Sequence, residues 1–217
     1  MPYGLLFTNN NDVVVLDSEF SRLVALARGN YSGSGGASVG FPFAITTQEP
    51  PLVFVRPAQS NTLCFCKISG SAGAWTGFSF TGIAGVFTSG SWFCAAFQSK
   101  EAATFGLRLW DGSSKVVFDN GTACAQFTRT LTSWTYLGSS PTGQGTSRLS
   151  WTAYSPLDSG DYMLINNIAM DVAGLTSRQG NQYAVWEYGN NRLVMQVVGV
   201  DISSSYYTPV VFAKPIS

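Results

Sequence analysis

The sequence predicts an all-β protein built as two consecutive sandwich-like units of short antiparallel strands and hairpins. Three observations carry this. Short apolar runs recur about every 8–12 residues with turn-forming residues between them, which is the spacing of sandwiches and barrels. No stretch keeps helical spacing for more than about two turns. Two hairpin patterns also recur along the chain. In Phe105–Asp119, FGLRLWDGSSKVVFD, an apolar run meets Asp111-Gly112 and then the returning run Lys115–Phe118. Asp-Gly between apolar runs favours a hairpin, because both residues tolerate the left-handed backbone of the turn. Tyr3–Asp17 has the same order, with Tyr3-Gly4-Leu5, a turn at Asn9–Asp12, and Val13–Leu16 before Asp17. The two align without a gap. Pro51–Pro57 (PLVFVRP) likewise matches Pro209–Pro215 (PVVFAKP), with Arg56 and Lys214 equivalent.

In chain order, residues 1–29 read as a hairpin followed by Ser21–Arg28, which leans towards strand. Asn30–Gly40 (NYSGSGGASVG) is Gly- and Ser-rich and reads as a mobile loop. Phe41–Ile45 and Leu52–Val55 read as short strands. The prolines at both ends of PLVFVRP confine it to an edge or a strand terminus. Thr62–Ser69 alternates well as a strand, and Gly70–Gly77 reads as a turn carrying Trp75. Phe78–Phe80, Gly85–Thr88 and Trp92–Phe97 continue the meander, with Ser89-Gly90 as a turn. Lys100–Ala103 reads as a linker, so the boundary between the units, 1–100 and 101–217, falls there. Ala125–Trp134 and Thr135–Leu137 are rich in strand-favouring Thr, Phe, Trp and Tyr. Gly138–Ser147 reads as a second low-complexity loop. Leu149–Tyr154 and Tyr162–Ile165 are strands across a Pro156–Gly160 turn, and Asn166–Gly174 fits a helical turn. Gln182–Tyr188, Leu193–Val200 and Tyr206–Phe212 close the series, with a hairpin turn at Gly189-Asn190-Asn191.

The 217 residues leave room for a substantial core. Charged residues make up only 11% of the chain, and twelve Lys and Arg balance twelve Asp and Glu. So little charge gives little self-repulsion in solution. Two readings of this stay open: a surface covered by partners, or a polar but neutral free domain. The basic residues are scattered, which argues against nucleic acid. No apolar run approaches the ~20 residues of a spanning helix, so no membrane insertion is expected. The first twenty residues lack a basic start and apolar centre, so ordinary secretion is not expected.

Cys64, Cys66, Cys94 and Cys124 are read mainly as small buried hydrophobes. Without a signal peptide a disulfide framework is not favoured. The C-x-C spacing of Cys64 and Cys66 does not suit a zinc knuckle, and the chain has no histidine. No metal or other cofactor is expected.

The lack of histidine also removes the Ser-His-Asp and Cys-His arrangements. Paired carboxylates, as in sugar hydrolysis, are the remaining enzymatic option. The candidates are Asp158 with Asp161 and Asp171 with Glu187, each with a plainer role as a turn or surface charge. The aromatic residues Trp186, Tyr188, Tyr206 and Tyr207 are the candidates for ligand or partner contact, the alternative being core or subunit interface. Trp134 and Tyr136 form a similar pair.

Taken with the Phe-Val-Arg-Pro strand and the Val-Phe-Asp ending at Asp119, the two aromatic-Gly-Leu hairpins give the chain a likeness to a known group. Residues 3–17, 51–57 and 92–119 resemble small tail-tip, baseplate or tail-fibre-associated proteins of long-tailed bacteriophages. The resemblance implies a structural virion protein, made in the host cytoplasm and present in several symmetric copies. It implies contact with other tail proteins and with the bacterial surface, and it brings no catalytic residues. A carbohydrate-binding module using exposed aromatics is the alternative expectation, and a polysaccharide hydrolase a third.

Overall fold

The computed structural model describes residues 6–8, 10, 14–17, 22–99, 101–143, 145–154, 160–169, 172–176 and 179–216. In chain order the strands are β1 (Leu6–Thr8), β2 (Val14–Asp17), β3 (Val24–Ser34), β4 (Gly36–Ile45), β5 (Leu52–Pro57), β6 (Asn61–Ser71), β7 (Ala74–Thr81) and β8 (Phe87–Ala96). They continue as β9 (Arg108–Trp110), β10 (Val116–Asp119), β11 (Cys124–Leu131), β12 (Thr135–Gly143), β13 (Thr146–Tyr154) and β14 (Tyr162–Leu164). After a 3-10 turn at Asn166–Ala169 come β15 (Val172–Ala173), β16 (Gln179–Glu187), β17 (Arg192–Gly199) and β18 (Val210–Ile216).

The all-β class holds, but the division at residue 100 does not describe how the sheets are assembled. A closed antiparallel barrel runs β11-β18-β14-β5-β8-β3, and a second sheet runs β12-β13-β17-β16-β6-β7-β4, with β15 on β16. Each takes strands from both sides of residue 100. The physical reason is the core: Val53, Val55, Phe78 and Trp92 pack in one cluster with Trp151, Trp186, Met195 and Phe212. Both halves of the chain contribute side chains to this one cluster. Alternate barrel residues form a second cluster, in which the Phe54 and Phe93 rings stack at 4.7 Å.

Both Gly/Ser-rich stretches expected to be loops are strands. Asn30–Gly40 spans the end of β3 and the start of β4. A Cβ on Gly33 would lie 2.1 Å from the Gly36 carbonyl oxygen, and one on Gly36 (φ +142°) would lie 2.5 Å from that of Phe80. Glycine is needed there because two backbones cross closer than any side chain permits. Gly138–Gly143 lies on β12 and Thr146-Ser147 on β13 of one hairpin, while Gln144 lies outside the described residues. Ser89-Gly90 is not a turn either: it lies within β8, where Gly90 pairs with Tyr31 and the Tyr31 ring covers the glycine. Trp75 belongs to β7 rather than to the turn before it. Tyr206 precedes β18, and Pro156–Ser159 of one expected turn lie outside the described residues.

The two sequence echoes have different outcomes. β5 and β18 flank β14, whose Met163 pairs with both Val55 and Phe212. The aligned residue of Phe212 is Phe54, one position away. Because side chains alternate, Phe54 and Phe212 fall in different clusters. That echo is one of composition only. The hairpin echo is structural. Leu6↔Asp17, Phe7↔Leu16 and Thr8↔Val14 in β1–β2 correspond residue for residue to Arg108↔Asp119, Leu109↔Phe118 and Trp110↔Val116 in β9–β10. Both ladders shift register at the same place, skipping Val15 and Val117. Both hairpins stand apart from the two large sheets.

Candidate functional site

The second hairpin is fastened to the body at its base and bare at its face. Asp111 organises its turn, its Oδ1 accepting hydrogen bonds from the Ser113 and Lys115 N–H groups at 2.9 Å each. This is the local bonding for which aspartate is favoured in turns. The bulged residue Val117 is buried, and its carbonyl accepts from Ser99 Oγ at 2.7 Å. The Arg22 guanidinium lies 5.3 Å from the centre of the Phe118 ring.

Asp119 is the anchor. Its buried carboxylate accepts from the N–H groups of Ala102 (3.3 Å), Ala103 (2.9 Å) and Gly121 (2.8 Å), and from Arg108 Nε (2.7 Å). Burial alone would raise its pKa; the hydrogen bonds outweigh that and bring it down to about 2. Arg108 also donates to Glu101 and to the Ala103 carbonyl. Beyond this base Phe105 is 88% exposed, and Leu107 and Trp110 are also exposed. An apolar set held on a fixed frame is chemistry for contact rather than for bond-making.

A cleft of about 600 Å³ opens where this hairpin meets the end of the barrel. Leu52 and Ala95, paired across β5 and β8, form part of its floor. Its walls are Thr46–Pro50, Phe97, Gln98 and Lys115. The Thr46–Pro50 wall is pinned from behind, since the Thr47 carbonyl accepts from Trp75 Nε1 and from the Gly73 N–H, both at 2.9 Å. The volume is within the range of small-molecule sites, roughly 300–1,000 Å³. Its walls come from three distant segments, so no local sequence signal marks it.

Of the four aromatics expected at a contact surface, one is open. Tyr207 is 81% exposed. Trp186 is fully buried, 6.0 Å from the Phe212 ring centre and 5.9 Å from that of Tyr188. Tyr206 is buried against Trp151 at 4.9 Å. Tyr188 is half-buried, its hydroxyl donating to the Pro57 carbonyl at 2.7 Å. The expectation of Trp186 and Tyr188 as exposed ligand platforms is therefore corrected. An alternating strand pattern does not reveal which face of β16 is buried, and Trp186 lies on the buried one with Gln182 and Ala184.

The expected carboxylates are tied to arginines. Asp161 is buried and lies 3.0 Å from Arg129 Nε, and that guanidinium sits 4.3 Å from the centre of the Phe212 ring. Glu187 accepts from Arg192 Nε at 2.6 Å and Asn190 Nδ2 at 2.9 Å. Partial burial acts to raise the Glu187 pKa, but these partners outweigh it and hold it below the ordinary value. Asp158 and Asp171 lie outside the described residues. Cys64, Cys66 and Cys94 are buried free thiols, and Cys124 is half-buried. Burial pushes Cys66 and Cys94 up to about 12 and raises Cys64. Among the described residues no helix is long and apolar enough to cross a membrane, and no three His, Cys, Asp or Glu side chains cluster as metal ligands. No protein-family description, curated protein or solved structure matches this chain.

Proposed function

We propose that this chain is a structural protein that joins a larger assembly through its two matched hairpins. The setting is the one the resemblance implies, a phage tail tip or baseplate, with the virion as location and other tail proteins as partners. The observation that carries the reading is the correspondence of β1–β2 with β9–β10, down to the skipped residue. Two like ribbons outside the main sheets give one chain two equivalent points of attachment, which raises avidity without new contacts. The exposed Phe105, Leu107 and Trp110 and the low overall charge suit burial against neighbours. No catalytic step is assigned.

The test is deletion of Tyr3–Asp17, followed by assay of incorporation into particles. Loss of incorporation supports the reading, and particles that keep the shortened protein overturn it. Mass measurement of the purified chain and of virions gives copy number. A second reading, sugar binding, is favoured by the cleft rather than by Trp186. In that case glycan-array binding by the isolated chain is lost in Phe97→Ala and retained in Trp186→Phe.

A further inference from the structure

Among the described residues, two charged side chains line the cleft where the second hairpin meets the barrel end, Glu49 and Lys115. They stand on different walls, Glu49 in the Thr46–Pro50 segment and Lys115 at the turn of the hairpin. Both are exposed, and among the described residues neither makes an ion pair, with the other or with any third group. By contrast Glu101, Asp119, Asp161 and Glu187 are all paired with arginines. An acid and a base held apart over one apolar floor complement a ligand that carries the opposite charges.

The frame that carries them is fixed before any ligand arrives. The Lys115 N–H donates to Asp111 Oδ1, and the Lys115 carbonyl accepts from the Asp111 N–H, both at 2.9 Å. The opposite wall is held by Trp75. The neutral polar groups of that wall are largely spent within the protein. Thr47 Oγ1 donates to the Glu49 carbonyl at 2.8 Å, and Gln98 Nε2 donates to Thr46 Oγ1 at 3.3 Å. Gln48 Nε2 lies 3.9 Å from where a Cβ on Gly73 would stand. The two charges are therefore what gives a ligand its direction. The rest of the lining includes the floor of Leu52 and Ala95 and the Phe97 ring, which is 63% exposed. An open ring beside an apolar floor suits the nonpolar face of a sugar.

We infer that this cleft takes a dipolar sugar, with its amino group against Glu49 and its acidic group against Lys115. The inference rests on the second reading above, in which the cleft is a sugar site, and it names the kind of sugar. Because Glu49 and Lys115 stand too far apart to pair, the ligand must carry its charges at separate ends. A free α-amino acid, with both on one carbon, does not. A neutral sugar leaves both protein charges unanswered, and a singly charged one leaves one.

The test is NMR titration of the isotope-labelled chain at slightly acidic pH, following the amides of residues 46–49 and 97–98. Glucosamine 6-phosphate carries both charges, glucosamine and glucose 6-phosphate one each, and glucose none. Triglycine carries both without a sugar ring. Glucosamine 6-phosphate is expected to bind about three- to fivefold more tightly than either singly charged sugar, the upper end of what an exposed ion pair supplies. Glu49→Gln should abolish its advantage over glucose 6-phosphate, and Lys115→Gln its advantage over glucosamine. Both side chains are exposed, so these variants keep the fold. Equal binding of all four sugars, lost in Phe97→Ala, keeps the sugar site and overturns this inference. So does a preference that both glutamine variants leave unchanged. No shift with any sugar overturns the sugar site as well. Triglycine binding as tightly as glucosamine 6-phosphate overturns the choice of a sugar, since the charges alone would then suffice.

Discussion

Replacing Trp186 separates a core residue from a ligand platform. The ring is fully buried on β16, against Phe212 and Tyr188. Trp186→Ala removes the largest side chain of that region and leaves a cavity between the two sheets. Such truncations cost about 3–5 kcal/mol, a large part of the roughly 5–15 kcal/mol that holds a protein folded. At about 2–4 °C per kcal/mol for a chain of this size, the melting temperature should fall by roughly 6–20 °C. The indole N–H meets no acceptor among the described residues. Trp186→Phe therefore loses less volume than the alanine variant and no hydrogen bond, and should cost clearly less than Trp186→Ala. Urea unfolding, followed by the fluorescence of the remaining tryptophans, gives both values. A Trp186→Ala protein within about 2 °C of wild type would refute the packing argument.

Other consequences follow from the same contacts. The folded pKa of Asp119, about 2, lies below its ordinary 3.8. Its stabilisation is present above about pH 4 and is lost as the pH falls towards 2, so two-dimensional NMR should show Leu107–Asn120 releasing before the sheets. Asp119→Asn should release the same segment at neutral pH. Gly36→Ala places a methyl 2.5 Å from the Phe80 carbonyl oxygen, and denaturant titration should record a loss of about 1–3 kcal/mol. With Cys66 and Cys94 held near 12, Ellman's reagent at pH 8 should leave both unmodified in native protein and label four thiols after unfolding. Fast native labelling of either would contradict their burial.

The strands were legible wherever one face was buried and the other was not. Thr62–Ser69 lies within β6 and Leu193–Val200 nearly coincides with β17, because alternation and β-branched residues act locally. Partner choice was not legible. β16 pairs with β6 across more than a hundred residues, and nothing in either segment names the other. Glycine misled in Asn30–Gly40 and Gly138–Ser147, since small residues mark close backbone approach as well as looseness. The hairpin echo was legible because identical order in a short ribbon dictates identical register. The PLVFVRP echo misled because a one-residue offset reverses which face is buried. Composition drew attention to Trp186 and Tyr206, whereas exposure, a property of the whole fold, selected Phe105, Leu107 and Trp110 instead.

If the two hairpins are interchangeable attachment points, as proposed, one can stand in for the other. A chain in which Tyr3–Asp17 is replaced by the sequence of Phe105–Asp119 carries the same ribbon twice. Its incorporation into particles, measured beside wild type and beside the Tyr3–Asp17 deletion, should match wild type. Incorporation as poor as that of the deletion would mean that shared register does not confer shared attachment.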